Sequence, residues 1–421
     1  MRHHAAMRPL LSLLKTGDFL TLARARLWSC ALVGAMAVVM VFLVATAHGA
    51  SDYAGRPLGT DFSNVYAAGR AALAGKAEAA FDIARQGAME RTIFGAGTQL
   101  YGWHYPPFFL LVAAPLATLS YLQALALWLV ATLALYLLSV RMLLASSAAP
   151  HLAQGKGWLV VALGFSAVFV NLIHGQNGFL TAALLGLGLA LLDTRPLLSG
   201  IGFGLLCYKP QYFAVIPLAL LAANRWRTLS AAVLTVIAVA LAATLLFGME
   251  VWPAFLASAH YTRTVVLEQG NTGFAKMQSV FAAVRLLGGT IVVAYVAQAL
   301  AALIAILLLW RIWRSDATPE IKGAFLCMAS LLVTPYSMDY DLMAFAPCIA
   351  LFAANGQRRG FAPWEVLALT VLWALPGLAR PAAQYLELPL TVPAMLFTLL
   401  LLWQRAKIDV MVNKQRNCGT S

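Results

Sequence analysis

Long apolar runs separated by short polar connections cover almost the whole chain. Trp28 to His48, Leu122 to Val140 and Ala231 to Phe247 are representative. Each approaches the ~20 residues a helix needs to cross a bilayer. Helices satisfy their own backbone groups in lipid, so the pattern predicts an all-α, polytopic membrane helical bundle. Spans are expected at about 28–48, 121–142, 158–174, 178–193, 197–209, 210–223, 228–247, 289–309, 322–337, 341–354, 363–378 and 389–404, about twelve in all. The first run is too long for a leader peptide, and Val44-Ala45-Thr46-Ala47-His48 makes a poor cleavage site, so it is expected to be retained.

Two stretches break the rhythm. Residues 49–105 are rich in glycine, charge and aromatics and read as a long loop. Pro106 to Ser120 is apolar but only about 15 residues long, short of a span, and Pro115 interrupts it. It is expected as a re-entrant or interfacial helix, because a true crossing would turn every later loop to the other side. The expected organisation is one integral membrane domain over 1–421. It comprises a first helix at 28–48, an outer segment at 49–120, further helices through 121–404, and a cytoplasmic tail at 405–421.

Composition agrees. The chain has 421 residues, 62% hydrophobic and 11% charged, with a mean hydropathy of +0.80, whereas soluble domains carry about 25% charge. The net charge of +13 reflects topology rather than nucleic-acid binding. Arg24 and Arg26, Arg225 and Arg227, Arg311 and Arg314, Arg358 and Arg359, and Arg405 and Lys407 sit in short connections, as cytoplasmic loops of a bacterial cytoplasmic membrane protein do. A nucleic-acid surface would show a basic face with interleaved aromatics instead. Both termini are thus expected inside. The five cysteines have no metal-ligand or disulfide spacing.

With the arginine pairs inside, the unusual polar residues gather on the outer side. Asp61, within Gly59-Thr60-Asp61-Phe62-Ser63-Asn64-Val65-Tyr66, heads the long loop, where a membrane enzyme would keep a base. His104 and Tyr105, His174-Gly175-Gln176-Asn177, Tyr208-Lys209-Pro210, Arg285 and Asp339-Tyr340-Asp341 come from separate connections to the same side. Ionisable groups near hydrocarbon are costly and mark functional sites. Lys209, next to the helix-breaking Pro210, reads either as a snorkelling lysine or as an ammonium facing a lipid phosphate. Arg285 is open to the same two readings. His174, Gln176 and Asn177 suit either sugar hydroxyls or a polar helix end, and His104 and Tyr105 either a site or interfacial aromatics. Asp339 and Asp341 either orient an acceptor or hold a divalent metal, or cap the next helix. No other cofactor is indicated.

The motifs that carry these residues resemble glycosyltransferase family 87, within the GT-C superfamily of polyprenol-phosphate-sugar-dependent membrane enzymes. They are Asp61-Phe62-Ser63-Asn64-Val65-Tyr66 with Ala68-Gly69, Tyr105-Pro106-Pro107, His174-Gly175-Gln176-Asn177, Tyr208-Lys209-Pro210-Gln211 and Thr334-Pro335-Tyr336-Ser337. At Met338-Asp339-Tyr340-Asp341 the chain departs from members that carry histidine there. The resemblance implies a GT-C fold with Asp61 as catalytic base. It implies a polyprenyl-phosphate-linked sugar (mannose or arabinose) as donor and a glycolipid or cell-envelope glycan as acceptor, with chemistry on the exterior face. Lys209 and Arg285 are expected at the donor phosphate. Asn64, Tyr66, His104, Tyr105, His174, Gln176, Asn177, Asp339, Tyr340 and Asp341 are expected around sugar or acceptor. A transporter or lipid flippase is the competing reading. It predicts mid-membrane charges and internal repeats, whereas the charges here gather at one surface and no repeat is evident.

Overall fold

A computed structural model describes residues 2–418. The described residues are overwhelmingly helical, with only isolated β-bridges such as Met277 to Met338. Among the described residues, five helices are long and apolar enough to cross a membrane: Leu22–Ala45, Tyr121–Ser146, Trp226–Phe247, Ile291–Arg314 and Glu365–Leu386. Gly157–Leu163 and Ser166–His174, bent by 55° at their junction, make a sixth if taken as one span. The other expected spans are helical too, and most are shorter. They are Gly178–Leu191, Pro196–Leu205 with its extension to Tyr208, Pro210–Phe213, Ile216–Ala222, Pro319–Leu332, Phe345–Arg359 and the longer Thr391–Cys418. By length and composition, five or six helices among the described residues qualify as spans, against the expected twelve. The shortening has a physical cause: polar breaks at Gly175-Gln176, Lys209-Pro210 and Thr334-Pro335 cut the apolar runs. Broken backbone in a membrane protein is tolerated where protein or a cavity covers it.

Local chemistry sets the helix ends. The Thr21 hydroxyl accepts from Arg24 N–H and starts Leu22–Ala45, and Thr290 does the same for Ile291–Arg314 through Val293. Gly175, at φ 62°, closes Ser166–His174 in the left-handed conformation that glycine adopts without strain. Burial then sorts the helices. Pro319–Leu332 runs through the centre, with Phe325, Cys327, Met328 and Leu331 fully buried. Leu22–Ala45 and Trp226–Phe247 turn apolar faces outward, Val41 being 67% and Leu245 83% exposed. Apolar faces of that extent suit lipid.

Pro106 to Ser120 forms a three-residue turn, Pro107–Phe109, running into the seven-residue helix Leu110–Leu116, too short to cross. It packs on helix Phe62–Leu73, where a Cβ at Gly69 would lie 2.2 Å from the Ala113 carbonyl oxygen. Only glycine allows that approach.

Helix connections collect at two ends. At one, Asp193 pairs with Arg225 at 2.5 Å, Asp409 with Arg359 at 2.6 Å, and Glu365 with Arg405 at 2.7 Å. The Ala148 N–H donates to Glu320 there as well. At the other, the connections around residues 61, 104, 176, 209, 276 and 340 enclose a cavity.

Candidate active site

Asp61 sits at the start of Phe62–Leu73, yet its carboxylate makes no capping bond. Its Oδ2 accepts from Gln176 Nε2 at 2.5 Å and from Lys276 Nζ at 3.3 Å. Oδ1 accepts no hydrogen bond among the described residues, so one face of the carboxylate stays available. The Asp61 N–H donates to the His174 carbonyl at 3.1 Å, and Thr60 Oγ1 lies 2.7 Å from His174 Nδ1. His174, at the end of the bent helix pair, thus clamps the loop that carries the acid. Asp61 is 7% exposed. Burial pushes its carboxyl upward, but the Lys276 ammonium, His174 and the Gln176 hydrogen bond outweigh that and hold it below the usual carboxylate value. It is ionised at neutral pH.

The cavity has a volume of about 280 Å³ and joins Asp61 to Asn64, His104, Tyr105, Gln176, Lys209, Tyr340 and Asp341. Eight residues singled out from separate stretches of sequence thus share one wall. His104 Nδ1 lies 2.9 Å from Thr262 Oγ1. Burial depresses the His104 imidazole to about 4, with Asp61 opposing and Lys276 adding, so at neutral pH it is an uncharged hydrogen-bonding group. Tyr105 donates its hydroxyl to Gln176 Oε1 at 3.4 Å. Asn64 Oδ1 is buried and has no partner among the described residues. A buried acceptor left without a donor costs about 1–3 kcal/mol, a cost that a ligand hydroxyl would relieve.

Two ammonium groups flank one aromatic ring. Lys209 Nζ lies 5.3 Å and Lys276 Nζ 5.8 Å from the centroid of Tyr340. Lys209 is 3% exposed and is paired with Asp341. The second Asp341 oxygen accepts the Met338 N–H at 2.9 Å. Buried charges persist in such pairs because each stands in for the other's lost water. Lys276 is less enclosed, and its partner is the base candidate itself.

Five expected residues do not line the cavity. Tyr66 donates to the Leu119 carbonyl at 2.9 Å and packs edge-on against Tyr121. His174 holds the loop as described. Asn177 joins Thr181 and Tyr208 through its carbonyl, and its buried side-chain amide has no partner among the described residues. Asp339 turns to Arg380 at 3.5 Å. Arg285, expected at the donor phosphate, donates to the Gly289 carbonyl at 2.8 Å and covers the Phe274 ring. The two acids of the 339–341 turn therefore diverge toward different cations. Among the described residues, no three His, Cys, Asp or Glu side chains cluster as metal ligands.

Sequence reasoning gave no site role to Lys276 or Tyr101, and it quoted Tyr208, Gln211 and Tyr336 only as motif members, yet all five line the cavity. Lys276 carried a usable signal, being a cation in a loop expected on the outer side, which the positive-inside bias does not explain. Tyr101 carried none, since only folding brings it near Asp61.

The model of a protein family, glycosyltransferase family 87, matches residues 103–335. No curated protein matches the chain, and no solved structure does. The matched segment includes His104, Gln176, Lys209 and Lys276 but begins after Asp61 and ends before Asp341, so those two join the site through geometry.

Proposed function

Because the chain belongs to glycosyltransferase family 87, we propose that this multi-pass membrane glycosyltransferase moves one sugar from a polyprenyl-phosphate carrier to a glycolipid or cell-envelope glycan in the cavity around Asp61. The observation that carries the reading is the pairing of Asp61 and Lys276 at 3.3 Å in that cavity, with the other carboxylate oxygen free of hydrogen bonds among the described residues. Mannose is the favoured sugar and a pentose the alternative, and the exterior face of the cytoplasmic membrane is the expected side.

The residues divide the work as follows. The acceptor hydroxyl attacks the anomeric carbon, the bond from that carbon to the phosphate oxygen breaks, and Asp61 takes the hydroxyl proton. Attack opposite the departing phosphate inverts the anomeric centre, and no glycosidase-like second carboxylate is needed. The polyprenyl phosphate leaves with an added negative charge, which preorganised ammonium groups stabilise. Lys276 is the better placed for this, since Lys209 already has Asp341 as its counter-ion; Lys209 acts at longer range across Tyr340. A phosphate that draws Lys276 away also removes the cation that depresses Asp61, so the acid becomes a stronger base once the donor is bound. Asn64, His104, Tyr105 and Gln176 supply neutral hydrogen-bonding partners for sugar hydroxyls.

The test is to incubate the purified protein in nanodiscs with a panel of polyprenyl-phosphate sugars and candidate acceptors. Acceptor-dependent release of free polyprenyl phosphate supports the reading. Protein-dependent movement of intact donor between leaflets, without release, would replace it with a flippase.

A further inference from the structure

At the end of the bundle away from Asp61 lies a second cavity, of about 320 Å³, lined by Arg358, Arg359, Arg405, Ile408 and Val412. Three guanidinium groups line it and no carboxylate does. Two of the three are already paired with neighbouring acids, and Arg358 has no ion pair among the described residues. Asp409 accepts from Arg359 at 2.6 Å and from the Thr318 hydroxyl at 2.8 Å, while Glu365 accepts from Arg405 at 2.7 Å and from the Ala362 N–H at 2.8 Å. Arg405 is 5% exposed, and its Nε has no partner among the described residues. A buried guanidinium N–H without an acceptor is costly, and it belongs to an arginine that lines the cavity. The planar fork of arginine suits phosphate oxygens in particular.

The surroundings identify the source of that anion. Arg405, Ile408 and Val412 all lie on helix Thr391–Cys418. Leu396, Leu400, Ile408 and Met411 on that helix are 40–58% exposed and, at helical spacing, share one outward face, which the exposed Gln404 and Lys407 join near the arginines. An apolar face that meets arginines at a helix end matches the boundary between acyl chains and headgroups, where basic pockets hold anionic lipids. We propose that this cavity binds the phosphodiester of an anionic lipid headgroup, with Ile408 and Val412 against the lipid's glycerol and upper acyl chain. The site is separate from the transfer chemistry, and it stands whichever sugar the other cavity handles.

The test uses the full chain in neutral detergent and native mass spectrometry, with phosphatidylglycerol and phosphatidylcholine offered at equal amounts. Preferential retention of phosphatidylglycerol is expected. Arg358→Gln, at an exposed position that leaves both buried arginine pairs intact, should weaken that retention by roughly tenfold, as expected for loss of one charge-assisted contact. Sugar transfer by this variant in phosphatidylcholine nanodiscs should be unchanged, which shows that it is folded. Equal retention of the two lipids, or phosphatidylglycerol retention insensitive to Arg358→Gln, overturns the proposal. Inorganic phosphate in place of lipid supplies the second arm. If it displaces phosphatidylglycerol at comparable concentration, the cavity is a soluble-anion site and the lipid assignment fails. If phosphatidylglycerol stays bound, the assignment holds.

Discussion

Asp61→Asn is the substitution on which the proposed chemistry depends most. The side chains are nearly the same size, and an asparagine carbonyl still accepts the 2.5 Å hydrogen bond from Gln176. The loop is held separately, by the Asp61 N–H on the His174 carbonyl and by Thr60 on His174. The variant therefore loses the negative charge and the basic lone pair while the fold stays in place. A positioned general base contributes roughly 10²–10⁴-fold, so kcat should fall by about a thousandfold, near 4 kcal/mol of barrier. The donor KM should hold or fall, because Lys276 loses its internal counter-ion and meets the donor phosphate unopposed. The assay is acceptor-dependent release of polyprenyl phosphate, alongside a thermal melt to establish folding. A folded Asp61→Asn protein with turnover within tenfold of the wild type would refute the role of Asp61.

Four further outcomes are expected. Lys276→Met should raise the donor KM and move the acid limb of the pH–rate profile to higher pH. The ammonium is the leading influence holding the Asp61 carboxyl down against burial, and without it protonation disables the base at higher pH; an unmoved acid limb would separate the two residues. Arg285→Gln should leave donor dependence unchanged, since its guanidinium is engaged by the Gly289 carbonyl and does not line the cavity; a raised donor KM would return it to the phosphate. Gly69→Ala should destabilise the protein by about 1–3 kcal/mol and lower activity, because the new methyl meets the Ala113 carbonyl oxygen at 2.2 Å; an unchanged melting temperature would contradict that packing. Glu90 is fully buried, accepts from the Tyr101 N–H at 3.0 Å, and is pushed by burial up to about 7 from 4.5. A folded-state value above the unfolded one gives stability that is present below about 4.5 and lost as pH rises through about 7, so Glu90→Gln should flatten the fall in melting temperature across that window.

The class of fold and much of the lining of the candidate cavity were legible in the chain, for different reasons. Apolar run length reports helices in lipid directly, so every expected span is found in helical structure. Run length did not report which helices end early. That depends on where Gly175-Gln176, Lys209-Pro210 and the turn after Thr334-Pro335 must bend to wall the cavity, a tertiary requirement. Asp61, Gln176, Lys209 and Asp341 stood out because charge and amide groups are rare in an 11% charged sequence. Their pairing did not stand out. Lys209 with Asp341, and Lys276 with Asp61, join positions far apart in sequence. The same blindness led to the expectation of Arg285 at the phosphate, since a sequence shows which loop an arginine is in but not that a nearby carbonyl has claimed it. Glu90 and Gln86, buried behind the Tyr101 wall of the cavity, lie on helix Ile83–Phe94 within the stretch read as a long loop, so nothing in the sequence marked their burial.

The stereochemistry of a single labelled sugar tests the central claim most directly. A donor of defined anomeric configuration, labelled in the sugar, is given to the protein in nanodiscs with acceptor, and the product linkage is read by NMR. One displacement assisted by Asp61 predicts that the label moves to the acceptor with its anomeric configuration inverted. Retained configuration, or label still attached to its polyprenyl phosphate, would contradict it.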